Sequence, residues 1–201
     1  MLFESLSALR QWDRAGLAVP HVGVNFATAE LRDPRLVDRV TWELDRFDLA
    51  PGRLTVEILE TVVAESGDET IAANIAGLAA LGCLVDLDDF GTGTASIASI
   101  RRFAVARIKI DRSFVTRADC DPGQRKMLDA ILSMAAKLDL DTVAEGVETP
   151  AERRLLAEMG CGHLQGFGIA RPMTQDDATG WLRKHAATLD GTATAPTGLS
   201  A

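Results

Sequence analysis

Six times along the chain a short run rich in apolar and β-branched residues gives way to a longer stretch with helical periodicity, and this alternation limits the possible folds more than any other feature. The strand candidates are HVGVNFA (21–27), LTVEIL (54–59), CLVDLDDF (83–90), ARIKID (106–111), TVAEGV (142–147) and HLQGFGIA (163–170). Local signals mark the helices between them. Asp33-Pro34 offers an N-cap and a first-turn proline to a helix with Leu36, Val40, Leu44 and Phe47 on one face. Residues 69–81 align Ile71, Ile75 and Leu78 and stop at Gly82. Met127, Leu128, Ile131 and Leu138 form the next apolar stripe, with Met127 and Met134 expected as core filling. Thr149-Pro150-Ala151-Glu152 spells a capping box, and Thr174 with Asp177 repeats that logic. The start, MLFESLSALRQWDRAG, has the pattern of an amphipathic helix rather than a signal peptide.

Repeated strand-helix units with short loops predict parallel strands covered by helices, either as an open doubly wound sheet or as a (β/α)₈ barrel. Polar residues decide between them. Asn25, Glu57, Asp88, Lys109, Glu145 and Gln165 each stand at or near the C-terminal end of a different strand candidate. A barrel gathers such positions at one mouth, where barrel active sites lie, whereas an open sheet spreads them along an edge. The expected fold is therefore an α/β barrel of the (β/α)₈ type. A whole barrel takes about 250 residues, and this chain has 201. The first two strands are thus expected to precede residue 1, which leaves the edges at HVGVNFA and HLQGFGIA unpaired and the isolated chain unstable or oligomeric. The domain is expected over 1–188, with a disordered polar tail over 189–201.

Composition narrows the function. A formal net charge of -8 provides no basic stripe for duplex DNA or anionic lipid, and no run is long and apolar enough to span a membrane. Three cysteines, Cys83, Cys120 and Cys161, are widely spaced with no CxxC, so neither a disulfide framework nor a zinc site is expected, and a reducing cytoplasm fits best. His21, His163 and His185 show no ligand spacing.

Against that background LVDLDDFGTG (84–93) places Asp86, Asp88 and Asp89 at the end of an apolar strand. In a generic loop such acids would be a solvated end or a helix cap. Here further carboxylates and the Asn25 amide are expected close by. A ring of oxygen donors suits a hard cation such as Mg²⁺, Mn²⁺ or Ca²⁺, which cancels their repulsion. Adjacent Asp88 and Asp89 can divide themselves between two ions, the arrangement used in phosphodiester cleavage. Lys109 with Asp111 could instead be a strand-end ion pair, and Lys109 with Glu145 would suit an enolising or aldolase-type barrel enzyme.

VNFATAELRDP, LTVEILET, LVDLDDFGTG, ARIKIDRSFV, TVAEGVET and HLQGFGIARPM, in this order, resemble successive motifs of the EAL domain family, bacterial phosphodiesterases that hydrolyse cyclic di-GMP to linear pGpG. The resemblance implies that Asn25, Glu57 and Asp88 bind a first metal, that Asp89 is shared with a second, and that Glu145 is a metal-associated acid and general base. It implies that Lys109 holds the attacking water, that Gln165 belongs to the metal and water shell, and that Glu60 anchors the loop Phe90 to Ser96, which links metal binding to dimerisation. Two Mg²⁺ or Mn²⁺ ions are the implied cofactors, with Ca²⁺ an expected inhibitor. Cyclic di-GMP, a second copy of the chain and an upstream sensory or diguanylate-cyclase-like domain are the implied partners; substrate-binding residues are not assigned. The family barrel has its first strand antiparallel to the rest. Its Glu-x-Leu signature and the following Arg have no counterpart here, since Glu4-Ser5-Leu6 falls in a helical pattern and out of order. Leu59, Ala27 and Thr94 stand where Thr, Ser and an aromatic are common. A receptor or interaction module that binds without turnover is the alternative.

Overall fold

The computed structural model describes residues 1–65, 68–93 and 97–193. Six strands, β1 (Val22–Asn25), β2 (Leu54–Leu59), β3 (Leu84–Phe90), β4 (Arg107–Ile110), β5 (Asp141–Ala144) and β6 (His163–Leu164), pair in sequence order. Every pairing is parallel, and together with its helices the sheet forms a half-barrel.

Pleating gives the sheet two chemically different faces. Leu54, Val56, Ile58, Val85, Leu87, Ile108 and Ile110 alternate outward and are essentially inaccessible to solvent. They pack beneath helices α1 (Leu2–Arg14), α3 (Leu36–Phe47), α5 (Glu69–Leu81), α8 (Pro122–Lys137) and α9 (Pro150–Glu158), where each fully buried Leu or Ile contributes about 1.5–3 kcal/mol. The inward residues are mostly polar: Asn25 pairs in register with Glu57, Glu57 with Asp86, and Asp86 with Arg107. Barrel interiors of this type are ordinarily filled with Val, Ile and Leu. The stability of this fold therefore resides on the outside of the sheet, which leaves the inside available for charge.

Local chemistry sets the helix ends. Asp68 caps α5 by accepting from the Thr70 and Ile71 amides, and Gly82 closes it at φ 106. Asn74, the polar interruption in an apolar run, is buried because its amide donates to the Leu31 and Asp33 carbonyls at 2.8 Å. Thr149 and Glu152 form the expected capping box on α9, with Pro150 in the first turn.

Several boundaries differ from expectation. The helix after Asp33-Pro34 begins at Leu36, because Asp33 accepts from the Arg35 amide and closes a turn first. Met127 is exposed rather than core, since the buried stripe of α8 is Leu128, Leu132 and Ala135 and Met127 lies one position off it. β6 has two residues instead of eight; beyond Gln165 the amides of Ile169 and Ala170 turn back to the Gly166 carbonyl. The last helix, α10 (Gln175–Ala193), continues past the expected boundary at 188. Thr94, the loop residues up to Ser96 and the tail from 194 lie outside the described residues.

β1 and β6 are the two ends of the sheet, as expected. Helices bridge the space between them: Trp12 Nε1 on α1 donates to Thr179 Oγ1 on α10 at 2.9 Å, and Gln175 pairs with Gln11 at the same distance. No described helix is long and apolar enough to cross a membrane.

Candidate metal centre

β3 ends in Asp88, Asp89 and Phe90, and its register with β4 shifts between Leu87 and Phe90. Strict alternation would send Asp88 and Asp89 to opposite faces of the sheet. The irregularity, with Asp89 in the left-handed region at φ 55, brings both carboxylates to the rim. Oxygens of Asp88, Asp89 and Glu145 all lie within 4.8 Å of one another. Glu145 reaches them from just past β5, where its amide donates to the Ile110 carbonyl and Gly146, at φ 67, turns the chain away.

Lys109 occupies the middle of this rim. Its Nζ lies 2.9 Å from Glu57 Oε2, 2.8 Å from Asp88 Oδ1 and 2.8 Å from Glu145 Oε1, with the side chain only 5% exposed. Burial alone would lower its pKa, but hydrogen bonds to Asp88 and Glu145 and the charge of Glu57 outweigh burial and hold the ammonium well above the ordinary lysine range. A Schiff-base lysine needs the opposite environment, one that favours the neutral amine, so the geometry disfavours an aldolase-type enzyme. The Lys109–Asp111 pair does not form; Asp111 instead caps α7 (Arg112–Val115) by accepting from the Ser113 amide at 2.9 Å.

The neighbouring carboxylates are tuned differently. Burial raises the Glu145 pKa, against the pull of Lys109 and with the help of Asp88 and Asp89. Burial also raises Asp89, reinforced by the charges of Asp88 and Asp111. Asp86 does not join the rim. It lies two residues below Asp88, is 1% exposed, and accepts from Arg107 Nε at 2.9 Å and Nη2 at 2.6 Å. Of the three acids in the strand, two thus converge on the rim and the third neutralises an arginine beneath it.

Glu60, buried at the start of α4 (Glu60–Glu65), accepts from the Gly91 amide at 2.8 Å and the Gly93 amide at 3.1 Å. That ties the turn after Asp89 to β2. Asn25 ends β1 beside Glu57 in register and is exposed. Gln165, also exposed, lies one residue past β6 and lines a cleft of about 310 Å³ with Asp89, Glu145, Arg112 and Phe167. Glu57 is connected to the trio through Lys109, and Asn25 stands one strand further out.

Three residues of this region escaped the sequence reasoning. Arg112 directly follows the β4 motif and packs its Cβ position against Gly146. Phe167, counted within a strand, is instead 52% exposed because the chain leaves the sheet, and the Arg171 guanidinium lies 4.7 Å from its ring centroid. An exposed phenylalanine between two glycines was the signal available. His163 pairs with Asp141 at 2.8 Å, and His185 stacks on Trp181 with centroids 4.7 Å apart; neither approaches the rim acids as a ligand.

The donor set fits a divalent ion. Asp88, Asp89 and Glu145 form the one group of three or more His, Cys, Asp or Glu among the described residues close enough to share an ion, and carboxylate oxygens without nitrogen or sulfur suit Mg²⁺, Mn²⁺ or Ca²⁺.

Comparison with known proteins identifies the family. The EAL domain model matches residues 1–172. The chain is 34% identical over 173 residues to the bifunctional diguanylate cyclase/cyclic di-GMP phosphodiesterase MucR of Pseudomonas aeruginosa, covering 86% of this chain and 25% of MucR. It thus spans about a quarter of the length of that relative. Among solved structures, the PaMucR phosphodiesterase in complex with cyclic di-GMP superposes with a TM-score of 0.81 at 33% identity, covering 88% of this chain and 71% of that one. The EAL domain of Mycobacterium smegmatis DcpA gives a TM-score of 0.84 at 30% identity, covering 91% and 82%. Sequence, fold and rim chemistry together place the chain in the EAL domain family.

Proposed function

We propose that this chain is the catalytic part of a phosphodiesterase that hydrolyses cyclic di-GMP to linear pGpG. The observation that carries the reading is the oxygen cluster of Asp88, Asp89 and Glu145, two of whose members pair with the Lys109 ammonium, on the rim where barrel active sites lie. Asn25, Glu57, Asp88, Asp89 and Glu145 would hold two divalent ions, Mg²⁺ or Mn²⁺, with Ca²⁺ binding unproductively. Such ions supply Lewis acidity for in-line displacement at phosphorus and neutralise charge on the departing oxygen.

The protein groups have distinct tasks. Lys109 orients the attacking water and meets the growing charge on the phosphoryl oxygens. Glu145, whose pKa is raised by burial, takes the water proton as the new phosphorus–oxygen bond forms and the 3′ ribose oxygen leaves. Gln165 completes the polar shell, and Glu60 keeps the loop after Asp89 in place. Phe167, with Arg171 over its ring, offers a stacking platform for a purine at the edge of the cleft. Phe167→Ala is expected to raise KM for cyclic di-GMP about 5–100-fold while kcat changes little, the range for losing one base stack. Steady-state kinetics check it; an unchanged KM removes Phe167 from the substrate site.

Gly23 supports the ligand set by having no side chain. A Cβ there would overlap Glu57 Oε1. Gly23→Ala should therefore displace the Glu57 carboxylate and weaken Mn²⁺ binding about 10-fold or more, as loss of ligand support does elsewhere. Calorimetry with Mn²⁺ measures this, and unaltered affinity would remove Glu57 from the set.

A second reading, binding without turnover, is favoured by one feature. β1 is an end strand, so among the described residues no further strand brings a ligand to the rim beyond Asn25. Incubation with cyclic di-GMP and Mn²⁺ separates the two. Formation of pGpG that EDTA abolishes supports hydrolysis. Intact dinucleotide with calorimetric binding supports the receptor, and neither cleavage nor binding contradicts both. A cytoplasmic location, a homodimer and an upstream sensory or diguanylate-cyclase-like domain in the parent protein belong to the same proposal.

A further inference from the structure

The rim carries a cation of its own. An ammonium has three N–H donors, and Lys109 directs them at three carboxylates from three parts of the sheet, Glu57, Asp88 and Glu145. Among the described residues, all the ion pairs those three acids make are to Lys109. Below it, Asp86 is already matched by Arg107, so the lower layer is neutral without Lys109. Two of the acids that hold Lys109, Asp88 and Glu145, are also two of the three whose oxygens converge closely enough to share a divalent ion. An ammonium and a divalent ion seated on the same carboxylates repel strongly in a partly buried site.

We propose that Lys109 is the resident counter-cation of the metal-free rim, and that a divalent ion loads by exchange, with the ammonium withdrawing from Asp88 or Glu145 as the ion arrives. The exchange is of one cation for another at the same carboxylates. Two consequences follow from the geometry. Without metal, the acids are held together rather than driven apart by repulsion, which keeps the donor set assembled. With metal, Lys109 regains free N–H donors pointing into the cleft, so the group that meets water and phosphate becomes available only when the site is loaded. The inference rests on the reading that these acids hold a divalent ion, but its test requires neither substrate nor turnover.

The chain contains four lysines, Lys109, Lys126, Lys137 and Lys184, so NMR of ¹⁵N-lysine ammonium groups can follow each one, with Lys109→Arg providing the assignment. In the unmodified chain, stoichiometric Mg²⁺ should shift the Lys109 signal or accelerate its proton exchange with water about 10-fold or more, leaving the other three in place. A Lys109 signal unchanged while calorimetry shows Mg²⁺ bound overturns the exchange and leaves the metal site intact. No Mg²⁺ or Mn²⁺ binding at all overturns both. Independently, Lys109→Met removes the competing charge and should bind Mn²⁺ at least about 10-fold more tightly. Equal or weaker affinity in that variant, measured on folded protein, contradicts the proposal; should it fail to fold, the lysine signals of the unmodified chain decide.

Discussion

If the proposed activity is right, Asp88→Asn is expected to lower metal-dependent hydrolysis of cyclic di-GMP by about 10²–10³-fold, the cost of removing one preorganised electrostatic partner of a transition state. The substitution is close to isosteric, and Lys109 keeps Glu57 and Glu145 at 2.9 and 2.8 Å, so the fold should persist. What disappears is one of the three charges whose oxygens converge at the rim. Comparison of kcat/KM at saturating Mn²⁺ with the unfolding curve of the same sample separates chemistry from stability. Hydrolysis at the unsubstituted rate would remove Asp88 from the site.

Arg107→Met destabilises the fold by about 3–5 kcal/mol, the range for leaving one member of a buried ion pair uncompensated. Arg107 is 11% exposed at its side chain and Asp86 1%, and no other ion pair to Asp86 occurs among the described residues. Burial already holds the Asp86 carboxyl above its usual range despite the guanidinium beside it. Its folded-state pKa therefore exceeds the unfolded one, and the folded state prefers the neutral acid. In Arg107→Met the lost guanidinium lets the Asp86 pKa rise further, so the penalty is complete above the variant's folded pKa and shrinks as the pH falls through it toward the unfolded value. Replacing both partners, Asp86→Leu with Arg107→Met, should recover most of the loss, because an apolar pair of similar volume needs no compensation. Urea unfolding of the parent and the two variants across that pH range tests this. A single variant as stable as the parent would mean the pair contributes nothing.

Much of the arrangement was legible because two periodicities are written into the sequence independently. Val56 and Ile58, or Ile108 and Ile110, identify the outward face, and Glu57 and Lys109 between them identify the inward one. Pleating then forces these polar residues together once the strands are parallel and adjacent, and the structure places Glu57, Asp88, Lys109 and Glu145 within ion-pair distance. What escaped depends on breaks in those periodicities. Alternation cannot anticipate that Asp89 takes φ 55 and swings to the same side as Asp88, or that Asp86 turns to Arg107. The end of β6 was similarly hidden. HLQGFGIA has strand composition, but the Gly168 amide donates to the Val147 carbonyl, and Gly166 approaches that backbone so closely that a Cβ would overlap it. Phe167 is thereby carried out of the sheet to the edge of the cleft. Met127 was misplaced by one position on α8, an error of about 100° around the helix.

The proposed function requires that the C-terminal rim of this half-barrel bind divalent ions through Asp88, Asp89 and Glu145. Anomalous diffraction from crystals soaked in Mn²⁺ addresses it directly. A strong peak bounded by those three carboxylates is expected, with Lys109 displaced from at least one of them. A map with manganese bound elsewhere, or with the three acids pointing apart and no density between them, would contradict it.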